Sequence, residues 1–198
     1  MHTPDELRHQ LRQRARAARK ALDDEVRAAA AAALPAILAT LPAFAGAQRV
    51  GVYAAVASEL SLEAVVATLR ERGASVYLPH IENAAHMRFA PWHTGRRLLA
   101  NRFGIPEPMV EAGELVGADD LDLVLLPLLA FDRQGGRLGS GAGFYDRALT
   151  FRLGRAAPPW LVGIGYACQQ VEGIPLADWD VPLDAVATEN ELIPCRRS

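Results

Sequence analysis

Residues 121–149, LDLVLLPLLAFDRQGGRLGSGAGFYDRAL, decide the fold class that we predict for this chain. The first part, Leu121 to Leu129, is almost entirely apolar, as is typical of a strand buried in the centre of a sheet. A glycine-rich segment follows, and Phe144 to Leu149 then has the composition of a helix start. A strand, a glycine-rich loop and a helix N-terminus in this order predict an anion site, because glycine lets the backbone approach an oxyanion and the helix dipole favours negative charge.

The glycine loop, residues 139–143, is expected to bind phosphate rather than to be a surface loop without a ligand. Gly139, Gly141 and Gly143 allow positive φ angles, which a concave set of successive N–H groups requires. The loop also leaves the most apolar predicted strand, where open α/β sheets place their ligands. Tyr145 and Asp146 follow at once, a hydrogen-bond donor and a potential metal ligand. The segment is neither a Walker loop, since no Gly-Lys-Ser/Thr follows, nor GxGxxG.

Composition limits the class of protein. The chain has 198 residues, of which 51% are hydrophobic and 22% charged, so we expect one domain over residues 1–198 with a substantial core. The net charge of −2 gives no reason to expect nucleic acid or a membrane as a partner. Cys168 and Cys195 form no CxxC pair, and the N-terminus does not resemble a signal peptide, so we expect a cytoplasmic protein without disulfides.

The N-terminal segment predicts a basic helix. Thr3 and Glu6 have the spacing of a capping box, with Pro4 in the first turn. The helix carries many cations and no intervening acid: Arg8, Arg12, Arg14, Arg16, Arg19 and Lys20. Such a patch would repel itself without an anion, although a solvated face is the usual role of a charged helix surface.

The remaining segments alternate between helix and strand. A second helix, capped by Asp23 or Asp24, is expected to reach about Thr40 with a kink near Pro35. A third begins at the cap Ser61 and stops at Gly73. We expect further strands at residues 49–56, 75–79, 87–92 (antiparallel), 160–166 and 183–188, and a helix at 144–153. Strand, helix and strand in succession imply parallel pairing, so the predicted fold is a three-layer α/β/α sandwich around a mostly parallel sheet.

Several chemistries are disfavoured by the residues present. There is no GxSxG elbow, and neither cysteine has a neighbour that would activate it. His80, His86 and His93 match no zinc spacing. Phe89, Trp92 and Phe103 are expected to fill the core, with stacking on a flat heterocycle as the alternative. Phosphate-binding loops, a basic helix and carboxylates suit phosphoryl transfer, in which positioning and charge neutralisation dominate.

The segment RLGSGAGFYD, residues 137–146, resembles the signature of the 5-formyltetrahydrofolate cyclo-ligase family, also called 5,10-methenyltetrahydrofolate synthetases. Other segments agree in order: the basic N-terminal helix, Glu59 after the first strand, FGIPEP at 103–108 and DWDVPLD at 178–184. Ser140 and Ala142 stand where some members carry Arg or Lys.

This resemblance implies an enzyme that uses ATP and Mg²⁺ to convert 5-formyltetrahydrofolate, including its polyglutamylated forms, to 5,10-methenyltetrahydrofolate. It also implies a monomer with a fold like those of sugar-phosphate isomerases and coenzyme A transferases. The alternatives are a phosphosugar isomerase or acyl-CoA-handling enzyme of related fold, and a non-catalytic anion- or RNA-binding module.

The resemblance also assigns roles to residues. Catalytic roles fall to Tyr145 and Arg137, and the folate contacts to Glu59 and Tyr145. Magnesium ligands are Asp146 and Asp180, with Asp184 and Asp132 as substitutes. The ATP contacts are Arg8, Arg12, Arg137, Leu138, Gly139, Ser140, Gly141, Ala142, Gly143, Phe144 and Tyr145.

Overall fold

The computed structural model describes residues 3–83 and 85–195. In chain order its elements are α1 (Pro4–Ala21), α2 (Asp24–Ala39), α3 (Pro42–Gly46), β1 (Arg49–Gly51), α4 (Glu63–Glu71), β2 (Ser75–Ile81), β3 (Met87–Pro91), β4 (Leu98–Ala100), β5 (Pro106–Pro108), β6 (Leu123–Pro127), β7 (Ala130–Phe131), β8 (Arg137–Leu138), α5 (Phe144–Ala148), β9 (Trp160–Ile164), β10 (Ala185–Ala187) and β11 (Leu192–Pro194). Short 3₁₀ turns lie between them, one of them at Thr150–Leu153.

Seven strands form the main sheet in the order β11-β10-β9-β6-β1-β2-β3. The five inner strands run parallel, whereas β3 and β11 are antiparallel edges. The predicted α/β class with a mostly parallel sheet is confirmed, as is the antiparallel strand at 87–92. Strand β11 and the two-stranded sheets β4–β5 and β7–β8 were not predicted.

Alternating residues of β6 divide the core between the two faces of the sheet. Leu123 and Leu125 pack in the cluster that contains residues of α2, α3 and α4. Val124 and Leu126 pack on the opposite face, with α5 and the Thr150–Leu153 turn. All four side chains are fully buried, and each contributes about 1.5–3 kcal/mol of hydrophobic stabilisation. The three layers are present, although a short helix and 3₁₀ turns supply much of the second outer layer.

The helix starts follow local signals. Thr3 Oγ accepts from the Glu6 N–H at 3.3 Å, and the Glu6 carboxylate accepts from the Thr3 N–H at 2.8 Å, so the capping box is confirmed. Asp23 caps α2 through the Val26 N–H, and this helix continues through Pro35. The prediction of Ser61 as the cap of α4 is wrong by one residue: the N-cap is Leu62, and the Ser61 hydroxyl accepts from the Glu63 N–H at 3.3 Å from one position further out.

Two predictions around residues 121–153 are wrong. The central strand β6 ends at Pro127, and the hairpin β7–β8 separates it from the glycine loop. The Asp132 carboxylate closes that hairpin, because it accepts the N–H groups of Gln134 and Gly136. Helix α5 ends at Ala148 instead of reaching residue 153. Thr150 Oγ donates to the Asp146 and Arg147 carbonyl oxygens. In an uninterrupted helix these carbonyl oxygens would accept from backbone N–H groups of the next turn, with which the threonine hydroxyl competes.

Helix α1 lies against the hairpin rather than on a face of the main sheet. Its residues Leu11 and Ala15 share a buried cluster with Ala130, Leu138 and Ile174. This packing leaves the arginine-rich side of α1 facing the carboxyl ends of β1 and β6. Within residues 3–83 and 85–195, no helix has both the length and the apolar composition that a membrane crossing requires.

Candidate active site

A cavity of about 710 Å³ lies beyond the carboxyl ends of β1 and β6, where open α/β sheets place their ligands. Its walls are the arginine side of α1, the residues after β1, the glycine loop, α5 and the segment around Trp179. The cavity therefore joins segments from both ends of the chain.

Cations from α1 form one wall of the cavity. Arg8 makes a two-point contact with Asp180, with Nη1 and Nη2 donating to its two carboxylate oxygens at 2.8 and 3.3 Å. Arg12 Nε donates to the Gly139 carbonyl oxygen at 3.1 Å. Burial and the neighbouring charges of Arg8 and Arg16 lower the pKa of Arg12. An anion at this wall would relieve the repulsion among these arginines. Arg14 and Lys20 lie exposed outside the cavity, so for these two cations the role is that of a solvated helix face.

The glycine loop brings its backbone to the same end of the cavity. Gly141 has a φ of +112° and Gly143 a φ of +67°, conformations that side chains other than glycine rarely adopt. Gly139 lies outside this left-handed region, so two of the three loop glycines use the positive φ angles that glycine allows. A Cβ built on Gly139 or Gly141 would meet no atom within 4 Å, so there is open space beside the loop.

Arg137 lies beneath the loop and is 7% exposed. Its Nη2 donates to Asp146 Oδ1 at 2.5 Å, and its Nη1 donates to the Val181 carbonyl oxygen. Burial lowers the pKa of Arg137, and the carboxylates of Asp146 and Asp180 oppose that shift. The guanidinium is therefore a fixed cation at the phosphate-binding end, held by groups on two segments.

Glu59 lies at the other end of the cavity, and Tyr145 is close enough to both Glu59 and Arg137 for their charges to act on it. Burial raises the pKa of Glu59, and a hydrogen bond from the Val56 N–H at 3.1 Å and the charge of Arg19 lower it. Burial and the Glu59 charge raise the pKa of Tyr145, so its hydroxyl remains a neutral donor at pH 7. That hydroxyl is buried and has no hydrogen-bond partner within the described residues. Such a group is costly unless a ligand satisfies it.

Apolar side chains line the space beside this carboxylate, among them Ile81, Met87 and Ile105. The Phe103 ring meets the Phe144 ring edge to face, with centroids 5.6 Å apart. Phe103 is 51% exposed and lines the cavity, so the expectation that it fills the core is wrong. Phe89 is fully buried in the core, as expected, and Trp92 lies outside the cavity.

The carboxylates in the cavity are partly engaged by cations. No group of three or more His, Cys, Asp or Glu residues within 3–83 and 85–195 could hold a metal ion on its own. Both carboxylate oxygens of Asp180 accept from Arg8, and Oδ2 also accepts from the Ala177 N–H. Among the residues that the structure describes, Asp146 is contacted only at Oδ1, which accepts from Arg137 and the Val181 N–H. Asp146 therefore fits a cation held mainly by a ligand's phosphates, and Asp180 fits it only if Arg8 moves away.

Some residues singled out from the sequence lie elsewhere. Asp132 accepts backbone N–H groups of the hairpin turn, and Asp184 pairs with the fully buried Arg152, so neither substitute metal ligand lines the cavity. The Leu138 side chain is buried in the core beneath α1, and its carbonyl oxygen accepts from the Leu129 N–H. The other predicted site residues all line the cavity, namely Arg8, Arg12, Glu59, Arg137, Gly139, Ser140, Gly141, Ala142, Gly143, Phe144, Tyr145, Asp146 and Asp180.

Other lining residues were not assigned a role from the sequence. Arg19 belongs to the predicted basic helix, but nothing in the pattern separates it from its exposed neighbours. Ile105 belongs to a segment whose two prolines predict only the absence of helix. Their positions follow from contacts between distant segments.

Comparisons with known proteins give a consistent result. The model of the 5-formyltetrahydrofolate cyclo-ligase family matches residues 4–189. The 5-formyltetrahydrofolate cyclo-ligase of Escherichia coli (strain K12) is 36% identical over 155 residues, covering 77% of this chain and 84% of the relative. The enzyme of the same name from Haemophilus influenzae is 37% identical over 139 residues, covering 69% and 73%.

Solved structures agree in fold. The 5,10-methenyltetrahydrofolate synthetase of Aquifex aeolicus superposes with a TM-score of 0.81 at 30% identity, covering 97% of this chain and 94% of that one. The Mycoplasma pneumoniae protein of that name has a TM-score of 0.70 at 22% identity and covers 95% and 99%, which supports the fold alone. The resemblance to sugar-phosphate isomerases and coenzyme A transferases is not confirmed by these neighbours.

Proposed function

The chain belongs to the 5-formyltetrahydrofolate cyclo-ligase family, and from this premise we propose that it cyclises 5-formyltetrahydrofolate to 5,10-methenyltetrahydrofolate with conversion of ATP to ADP and phosphate. The observation that carries this proposal is the two-ended cavity. One end combines arginines with a glycine loop, the other combines an apolar wall with a carboxylate, and an unpartnered tyrosine hydroxyl lies near both Arg137 and Glu59.

The proposed reaction needs no nucleophile from the protein. The formyl oxygen attacks the γ-phosphorus of ATP, and ADP leaves. The N10 nitrogen then attacks the activated formyl carbon, and the C–O bond breaks with release of phosphate and of the N10 proton. The residues that line the cavity have only to bind, orient and neutralise charge, which agrees with the lack of an activated cysteine or serine.

We propose that Arg8, Arg12 and Arg137 bind the ATP phosphates together with the backbone of the glycine loop. The positive φ of Gly141 turns the loop, and the open space beside it supports close approach of an oxyanion. Arg137 is held in place before the substrate arrives, so it can offset charge on the transferred phosphoryl group without reorganisation. Ser140 and Ala142 contribute no cation to the phosphates; both offer their backbone N–H groups, and Ser140 also offers its hydroxyl.

At the other end, we propose that Glu59 accepts N–H groups of the pterin ring. Tyr145 would donate its hydroxyl hydrogen to the folate near the reacting formyl group. Its raised pKa supports a donor role, because deprotonation at neutral pH is disfavoured. The charges of both Glu59 and Arg137 act on Tyr145, which suits a donor at the point where the folate meets the nucleotide.

Magnesium is the expected companion of ATP, and we propose Asp146 as its first protein ligand and Asp180 as its second. The free Oδ2 of Asp146 supports the first assignment, since Mg²⁺ on a nucleotide commonly takes one or two carboxylates and keeps several waters. Magnesium would neutralise phosphate charge during transfer. Coordination by Asp180 requires Arg8 to exchange its carboxylate partner for a phosphate.

We further propose one domain over residues 1–198, acting as a cytoplasmic monomer on folates that include polyglutamylated forms. Neither nucleic acid nor a membrane is a proposed partner. The net charge of −2 supports the absence of a general polyanion partner.

A single assay tests the activity. The protein is incubated with 5-formyltetrahydrofolate and MgATP, and the near-ultraviolet absorbance of the methenyl product is followed. Product should form at the rate of ADP release and should be absent without ATP. Product formation without ATP, or ATP hydrolysis without product, would contradict the proposal. The isomerase and acyl-CoA alternatives require no ATP and are excluded by a strict ATP dependence.

A further inference from the structure

Helix α1 extends beyond the phosphate-binding arginines to the opposite end of the cavity. Arg8 and Arg19 are separated by three turns of helix, or roughly 16 Å along its axis. Arg19 lies in the last turn, is 9% exposed and lines the cavity. The same helix therefore reaches both proposed ligand sites.

Arg19 contacts the segment that carries Glu59. Its Nε donates to Ser58 Oγ at 3.0 Å, across a separation of 39 residues. The adjoining turn is closed by two further hydrogen bonds: the Glu59 N–H donates to the Val56 carbonyl oxygen at 3.1 Å, and the Val56 N–H donates to Glu59 Oε2 at 3.1 Å.

The turn includes a residue in an unfavourable conformation. Ala57 has a φ of +51°, in the left-handed region that alanine rarely occupies. Residues in such conformations persist where the surroundings hold them, and they cluster at ligand sites. The bond from Arg19 to the next residue, Ser58, is an anchor of this turn from outside its own segment.

We propose that Arg19 is a positioning residue for the folate end of the cavity: from α1 it holds the turn of residues 56–59 and thereby presents the Glu59 carboxylate to the substrate. The inference rests on the proposed function, because that proposal assigns Glu59 to the folate.

The electrostatics of the site agree with this role. Arg19 from α1 is the charged side chain that acts on Glu59, and its charge opposes the effect of burial on the pKa of Glu59. The Glu59 charge in turn raises the pKa values of Tyr53 after β1 and Tyr145 from α5. Arg27 of α2 and Tyr166 line a second depression that Glu59 also borders. Without Arg19 the carboxylate should take up a proton at higher pH, and its ability to accept N–H donors should be lost there.

The test compares Arg19→Met, Arg19→Lys and Ser58→Ala with Arg14→Met, an exposed control on the same helix. Arg19→Met should raise the KM for 5-formyltetrahydrofolate about tenfold and leave the KM for ATP within about twofold of wild type. The acid limb of kcat/KM against pH should move up by roughly one unit, because a cation near the carboxylate has been removed. Arg19→Lys should restore the limb, and Arg14→Met should change nothing.

Ser58→Ala removes only the accepting hydroxyl, so it should raise the folate KM about threefold without moving the acid limb. Equal losses for both substrates, an unmoved limb in Arg19→Met, or a Lys variant that behaves like the Met variant would overturn the proposal. If Arg19→Met does not fold, an unchanged folate KM in Ser58→Ala overturns it. Absence of methenyl product from the wild-type protein would instead refute the proposed function.

Discussion

The conformation of the glycine loop can be tested by placing the same side chain at two positions two residues apart. Gly139 and Gly141 both have open space where a Cβ would stand, so neither substitution is blocked by a clash. Only Gly141 has a φ in the left-handed region, at +112°. Valine is strongly disfavoured at such a φ because it is β-branched, and backbone strain of this kind costs on the order of 1–3 kcal/mol.

If the loop relaxes to escape this strain, the ATP site must be rebuilt when the nucleotide binds. Gly141→Val should therefore raise the KM for ATP by roughly 5- to 150-fold, which is the same free energy expressed as affinity. Gly139→Val should raise it far less. Steady-state rates at saturating 5-formyltetrahydrofolate measure the effect, and calorimetric titration with ATP confirms it as binding. Melting temperatures should stay close to wild type because the loop is exposed.

Two outcomes would refute this reasoning. A Gly141→Val variant with a normal KM for ATP would mean that the positive φ has no part in binding. Equal losses in the two variants would mean that phosphate needs the open space beside the loop rather than its backbone conformation.

Three further predictions concern side chains in the cavity. Arg12→Ala and Arg8→Ala should each raise the KM for ATP by roughly 10- to 150-fold, because hydrogen bonds to charged groups contribute about 1.5–3 kcal/mol. The KM for folate should stay nearly unchanged. Equal increases in the two KM values would contradict the assignment of these arginines to ATP. Glu59→Gln should weaken folate binding more than ATP binding. It should nevertheless raise the melting temperature at pH 7, because burial raises the pKa of this carboxyl above its unfolded value and the ionised form therefore costs stability. The gain in melting temperature should fade as the pH falls through that pKa, and a gain that stays constant with pH would argue against this cause. Asp146→Asn and Asp180→Asn should raise the magnesium concentration needed for turnover while calorimetry still detects folate binding, and a wild-type magnesium dependence in either variant would remove that residue as a ligand.

Local features of the fold were predictable from the sequence. The capping box at Thr3 and the cap at Asp23 depend on residues three apart, so the sequence pattern contains the whole interaction. The central strand was recognised because its residues are apolar on both faces. The signature at 137–146 is one contiguous segment, so it indicates the family without any knowledge of the fold.

Features that depend on distant partners were not predictable. Strands β4, β5 and β11 are short strands that each pair antiparallel with a single neighbour, and no apolar run marks them as β1 and β10 are marked. The hairpin before the glycine loop was missed because the apolar run continues through the residues that follow β6. The bond from Arg19 to Ser58 joins segments that no motif connects.

The two-point contact between Arg8 and Asp180 joins residues that are 172 positions apart. During synthesis at about 5–20 residues per second, Arg8 is made roughly 10–30 s before Asp180. Throughout that interval Arg8 has no Asp180 carboxylate to contact, and the Gly139 carbonyl oxygen becomes available to Arg12 only late in it. The nucleotide end of the cavity is therefore among the last parts of the molecule to be completed, and a released chain truncated before residue 180 should bind ATP much more weakly than the full chain.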